Sequence, residues 1–291
     1  MIRHLPVLLT LLAGGCLWLT SMVSHAGVVE ARLPSGKMAG AHYQAGKKDQ
    51  PAVLILHGFL QTRAFPTVAS MVEAASTAGY TTLAPTLTLG ISRRNKSLPC
   101  EAIHTHTLDE DTAEVAFWVR WLEQKGYSRI VLVGHSYGNL QLLGYLGRNP
   151  APAVKQVLMI SLTDVERKQS AQQRALLAQD MRARLEKGNQ GLVEAEIGHC
   201  NKYVSPPAAL LSYLAISRGS ILEALAKTSV PVEVIMGSKD DRMGSDWVDK
   251  LVSGKIAVRV IPGAPHFFDS QYEFDLHDAV LQALQDKSPR R

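Results

Sequence analysis

The 291-residue sequence predicts an α/β fold: a doubly wound, mostly parallel sheet with a helical cap insertion. Three observations carry this. Short apolar, β-branched runs alternate with stretches of helical periodicity along most of the chain, which implies parallel strands covered by helices on both faces. One run, 129–133, passes into Gly134-His135-Ser136-Tyr137-Gly138 and then straight into the helical pattern of 139–146. The alternation breaks between 163 and 229, which is far more chain than one connecting helix needs.

The elements follow in order. Residues 28–33 and 37–44, around Pro34-Ser35-Gly36, read as an opening β-hairpin. A strand at 52–56 leads to a helix near 66–78, a strand at 80–84 and a helix near 109–125, with Gly79 and Gly126 where helices should stop. After the run at 129–133 and its helix comes a strand at 157–160. The insertion is charged and helical in pattern over 165–187, with further helices at 206–217 and 221–227. Strands at 231–236 and 257–261 flank a helix at 245–252, and a helix near 272–285 closes the domain.

Composition narrows the function classes. Lys and Arg total 31 against 26 Asp and Glu, a net charge of +5 that is modest and dispersed. No basic run precedes the terminal Lys287 to Arg291, so a nucleic-acid partner is not expected. Arg3, an apolar stretch over 5–23 and Ser24-His25-Ala26 read as a secretory signal peptide, residues 1–26. The expected location is periplasmic or extracellular. The length of the apolar stretch leaves an uncleaved membrane anchor as the alternative, and Ala13-Gly14-Gly15-Cys16 is a faint lipoprotein box. No later run approaches membrane-spanning length. Residues 27–291 read as one domain, with the cap at about 163–229. It keeps Cys100 and Cys200, an even pair that export would favour as a disulfide; two separate thiols are the alternative.

The pentapeptide at 134–138 carries the chemistry. A strand that turns sharply into a helix holds a serine in a strained conformation, with Oγ clear of the turn and the helix N-terminus beside it. Gly134 and Gly138 are expected to relieve crowding against each other. A serine nucleophile needs a base and an acid that orients the base. Asp240 and Asp241 follow the strand at 231–236, and His266 follows the strand at 257–261. These complete the order Ser, Asp, His. Asp240 fits the acid position better, with Asp241 left open. After the strand at 52–56 comes His57-Gly58-Phe59.

With these four motifs in register over about 50–285, the sequence resembles the α/β-hydrolase superfamily. The resemblance implies a serine hydrolase of the carboxylesterase or lipase-like kind, acting on a small acyl substrate through an acyl-enzyme on Ser136 and using no cofactor. It implies that the backbone N–H groups of Phe59 and Tyr137 bind the oxyanion, with His57, Gly58, Gly134 and Gly138 as support. An envelope acyltransferase with the same triad, or a noncatalytic binding protein on the fold, are the alternatives.

One further candidate region lies between 88 and 111, a long loop expected at the carboxyl edge of the strands. Arg93, Arg94, His104 and His106 within it are candidate substrate-lip residues, the arginines meeting an anionic part of a ligand. His104, His106 and Asp109, or His199 with Cys200, match no established zinc spacing, so no metal is expected. His135 and the Tyr137 side chain read as packing groups, and Phe267 and Phe268 as core and pocket wall.

Overall fold

The computed structural model describes residues 26–286. The signal-peptide reading, Cys16 and the basic tail lie outside the described residues. The opening strands are β1 (Gly27–Arg32), β2 (Met38–Gln44) and β3 (Ala52–Leu56), followed by α1 (Pro66–Thr77), β4 (Thr81–Thr86) and α2 (Leu108–Gln124). Then come β5 (Ile130–His135), α3 (Gly138–Leu146) and β6 (Val154–Ile160). The insertion holds α4 (Ala171–Glu186), β7 (Val193–Ile197), β8 (Cys200–Ser205), α5 (Pro207–Leu214) and α6 (Arg218–Lys227). β9 (Val232–Gly237), α7 (Trp247–Ser253), β10 (Ala257–Ile261) and α8 (Tyr272–Gln285) complete the chain.

An eight-stranded sheet runs in the order β1-β2-β4-β3-β5-β6-β9-β10. β1 and β2 pair antiparallel, as do β2 and β4, and the remaining pairings are parallel. Parallel strands bury both faces, and alternate residues feed opposite layers. On β3, Leu54 and Leu56 pack towards Trp118 and Val119 of α2 and Leu142 of α3, while Val53 and Ile55 pack towards Met71 of α1 and Leu276 of α8. Local signals set the helix starts. Thr107 and Glu110 form a capping box on α2, and three acids, Asp109, Glu110 and Asp111, occupy its first turn.

The topology fixes where a ligand fits. From β3 the chain moves to β4 on one side, then crosses back to β5 on the other. The loops after β3 and β5 therefore diverge at their carboxyl ends and leave a crevice between them. His57 to Phe59 follow β3 and Ser136 follows β5.

The insertion is largely helical as expected, but the helix expected from 165 starts only at Ala171, leaving 165–170 irregular, and the insertion also contains a β-hairpin. β7 and β8 pair antiparallel around Gly198 and His199. Val193, Glu194, Ala195, Glu196 and Ile197 alternate apolar and charged, and Gly198 takes a left-handed φ of 59°. That alternation with a glycine turn is a strand signal. It is only five residues long and is embedded among helices. The hairpin is sewn to the long loop: His104 N–H donates to Val204 O at 2.8 Å, and Cys100 and Cys200 form a disulfide with Cα atoms 5.3 Å apart.

Cross-linking positions 100 residues apart in sequence constrains the unfolded chain by about 4–5 kcal/mol in the loop-entropy picture. Cys100→Ser should therefore lower stability by a few kcal/mol, read as Tm, and shift substrate preference through the hairpin. If both cysteines alkylate freely in the native protein, the clamp is absent.

Candidate active site

Ser136 sits between β5 and α3 with φ 54°, a left-handed conformation that costs a non-glycine residue about 1–2 kcal/mol. Its N–H donates to Ile160 O of the neighbouring strand at 2.9 Å, and Asn139 Nδ2 donates to the same carbonyl at 2.9 Å. These bonds hold the turn from both sides.

The two glycines of the turn do not relieve each other, contrary to the sequence expectation. A Cβ on Gly134 would strike Asn139 and Leu142 of the following helix. A Cβ on Gly138 would come within 2.6 Å of His57 O. Each glycine makes room for a different neighbour, and Gly138 lets α3 press against the loop after β3.

His266 and Asp240 close on the serine. Ser136 Oγ lies 3.0 Å from His266 Nε2, as a hydroxyl donating to the ring requires, and His266 Nδ1 donates to Asp240 Oδ2 at 2.8 Å. Asp240 Oδ1 accepts the Arg242 N–H at 3.0 Å, so both carboxylate oxygens are engaged. The His266 and Asp240 side chains are buried. The His266 carbonyl accepts Ser161 Oγ at 2.9 Å and His135 Nε2 at 3.2 Å, which fixes the loop that carries the ring. Asp241 is exposed on the rim of the cavity and makes no bond to His266.

The loop after β3 is held from below. Leu87 N–H donates to His57 Nε2 at 3.0 Å, so the proton resides on Nδ1, which donates to Gly58 O at 2.9 Å. Burial, and next the Arg94 charge, hold the His57 pKa down to about 3. Burial, and next His266, hold His135 to about 3 as well. Neither ring can take a proton near neutrality. Gly58 N–H donates to Gln61 Oε1 at 3.1 Å, and Phe59 packs on Tyr137 with ring centroids 4.5 Å apart. The backbone N–H groups of Phe59 and Tyr137 donate to no protein acceptor among the described residues.

The expected substrate lip is corrected by the structure: none of its four residues lines the cavity over Ser136. Arg93 has φ 56°, which turns it outward to pair with Glu30 at 3.2 Å. Arg94, only 6% exposed, points the other way into the protein. It donates to Leu87 O at 2.7 Å, Gln61 O at 2.7 Å and Lys96 O at 2.9 Å, with Nη2 3.2 Å from His57 Nε2. It is a clamp beneath the loop after β3. His104 stacks on Tyr203 at 4.2 Å, and His106 Nδ1 donates to buried Asp111 at 2.8 Å. Arg94→Met should cost about 2–4 kcal/mol of stability and lower kcat by loosening that loop. A variant with native Tm and only a raised KM would return Arg94 to substrate contact.

Glu114 belongs to the same support. Its Oε2 accepts the Thr88 N–H at 3.0 Å and Thr88 Oγ1 at 2.8 Å. Burial raises its pKa from 4.5 to about 7. An acid with a raised folded pKa stabilises fully below its unfolded value, and that contribution is lost as pH rises towards the folded one. The window is therefore about pH 4.5 to 7. Across it the wild type should lose several degrees of Tm relative to Glu114→Gln. Parallel Tm profiles would contradict this.

The walls of the cavity come from the cap instead. About 220 Å³ of space lies over Ser136, bounded by the segment 163–169, by Gly198 and His199 of the hairpin, and by Asp241 and Arg242. Sequence reasoning weighed His199 only for a metal and Asp241 only as the acid, and did not single out Arg167, Lys168, Arg174 or Arg242 as wall residues; their signal is the basic pair Arg167-Lys168 at the start of the insertion. The His/Cys/Asp/Glu group compact enough for a metal among the described residues is Cys100, His199 and Cys200. Two of its three donors are the disulfide sulfurs, so the set does not fit a resident ion.

Comparison with known proteins bears on the fold and family. A model of the Alpha/beta hydrolase family matches residues 53–278. No curated protein is a significant sequence match. Among solved structures, Est1E from Butyrivibrio proteoclasticus superposes with a TM-score of 0.63 at 16% identity, covering 88% of this chain and 97% of that one. Alpha/beta hydrolase domain-containing protein 10 from mouse gives 0.64 at 16% identity, covering 90% and 99%. A bromoperoxidase from Bacillus anthracis gives 0.58 at 18% identity, covering 89% and 100%. These identities carry the fold alone.

Proposed function

The chain belongs to the alpha/beta hydrolase family, and on that premise we propose that it is a serine hydrolase cleaving carboxylic esters through an acyl-enzyme on Ser136. The observation that carries this reading is the hydrogen-bonded chain from Ser136 Oγ through His266 to Asp240, opening on a cavity.

In the first half-reaction Ser136 Oγ attacks the ester carbon and its proton passes to His266 Nε2. Asp240 fixes the tautomer with the proton on Nδ1 and stabilises the imidazolium. The oxyanion receives the unengaged N–H groups of Phe59 and Tyr137, each worth about 3–4 kcal/mol in comparable sites. The intermediate collapses, and the departing alkoxide takes the proton from Nε2. Water then gives a proton to His266 and attacks the acyl carbon, and the Ser136 oxygen leaves and recovers that proton. The balance is ester plus water to acid plus alcohol. His57 and His135 are not the base in this reading: His57 bonds Leu87 N–H and Gly58 O, His135 Nε2 bonds His266 O, and neither ring hydrogen-bonds to Ser136 Oγ.

Export is part of this proposal. It rests on the leader-like residues 1–26 and is compatible with the Cys100–Cys200 disulfide. No single helix among the described residues is long and apolar enough to cross a membrane.

The test is turnover of p-nitrophenyl esters of graded acyl length, with the acid product quantified in the presence and absence of added alcohol. Free acid in proportion to p-nitrophenol is expected. Transfer of the acyl group to the alcohol in preference to water would move the reading to an acyltransferase. Absence of any turnover would move it to a binding protein.

A further inference from the structure

Resting on the serine-hydrolase reading, we propose that the cavity over Ser136 contains an anion subsite, built on Arg174 and Arg167 of the cap. The substrate is then an ester that carries a second group, a carboxylate.

Arg174 lies on α4, is 5% exposed, and lines the cavity. Its Nη2 donates to Tyr213 O at 2.8 Å and Ile216 O at 3.1 Å, while its buried Nε has no hydrogen-bond partner. Among the described residues it forms no ion pair, because the nearby carboxylates are committed elsewhere. Asp164 accepts Arg218 Nε at 2.7 Å and the Gly244 N–H at 2.9 Å, and Glu166 accepts the Arg218 N–H at 2.8 Å. A guanidinium withdrawn from water with a donor unmet and no direct ion pair, offset only at a distance by the charges of Glu166 and Asp164, is costly to fold. An incoming carboxylate supplies what the fold does not.

The surrounding wall has the same sign. Arg167 lines the cavity, is exposed, and forms no ion pair among the described residues. Arg242 lies over the Phe267 ring at 4.6 Å and lines the cavity from the side of His266. Of the acids lining the space, Asp164 is neutralised by Arg218, and Glu196 lies 3.6 Å from Lys168. Asp241 alone remains, exposed at the rim. His199 reports the balance: burial first, then Arg242 and Lys168, hold its pKa below the ordinary value. The basic cluster of the 88–111 loop thus has its counterpart in the cap, where the cations line the space over Ser136. A volume of about 220 Å³ suits a short substrate.

The experiment compares two carboxylate esters with neutral isosteres. p-Nitrophenyl hydrogen glutarate, charged on the acyl side, is set against p-nitrophenyl pentanoate. 4-Acetoxybenzoate, charged on the leaving-group side, is set against its methyl ester. At least one charged ester should exceed its isostere in kcat/KM by about tenfold or more, and the arm that does so identifies the side. That ratio should fall towards one in Arg174→Met and in Arg167→Ala; the second sits on the exposed rim and keeps the test valid if the first misfolds. Ratios at or below one for both charged esters overturn the subsite. Calorimetry with Ser136→Ala and monomethyl glutarate separates this from the catalytic reading. Saturable binding weakened by Arg167→Ala supports the subsite even if the wild type turns over nothing. No binding, with fluorophosphonate labelling of the wild type intact, overturns the subsite and leaves the hydrolase standing.

Discussion

Ser136→Ala should lower kcat for any ester by about 10⁴-fold or more, with no loss of fold. The methyl group removes the nucleophile and the donor to His266 Nε2, while the turn's backbone bonds remain. Alanine keeps the φ of 54° no worse than serine does, so Tm should stay near the wild-type value or rise slightly, because active-site geometry of this kind stores strain. A variant with native Tm and wild-type kcat would mean that Ser136 carries no chemistry.

Asp240→Asn should come next in size, at about 10⁴-fold in kcat. The amide nitrogen facing Nδ1 would force the proton onto Nε2, where it can no longer accept from Ser136. Asp241→Asn should change kcat by less than about tenfold, since its side chain is exposed and reaches no ring nitrogen. Steady-state rates on one neutral ester, measured for both variants, decide the matter. The reverse ranking would transfer the orienting role to Asp241.

The hydrogen-bonded set Ser136, His266 and Asp240 was legible because each member lies in the loop that follows an apolar run. In a parallel sheet, that position alone brings residues far apart in sequence to one edge. Asp240 against Asp241 was not settled by sequence, since adjacent acids in one loop differ only in which oxygen the turn aims at the ring. Here Arg242 N–H pins Asp240. Arg94 was misread for a deeper reason. Arg93, Arg94 and Lys96 look like one solvated cluster, yet the left-handed turn at Arg93 sends the two arginines to opposite sides. The carbonyls that receive Arg94 come from Leu87, Gln61 and Lys96, and their convergence is a tertiary fact. The β7–β8 hairpin left a visible alternation of apolar and charged residues, short enough to be lost among helices. The glycines of the turn were identified correctly but for the wrong contacts, because the neighbour of Gly138 is a loop some eighty residues earlier in the chain.

The most direct test of the central claim is the site of covalent capture. The wild-type protein is treated with a fluorophosphonate, digested, and the adduct located by peptide mass spectrometry. The account predicts a single adduct on Ser136. An unlabelled protein, or an adduct on any other residue, would contradict it.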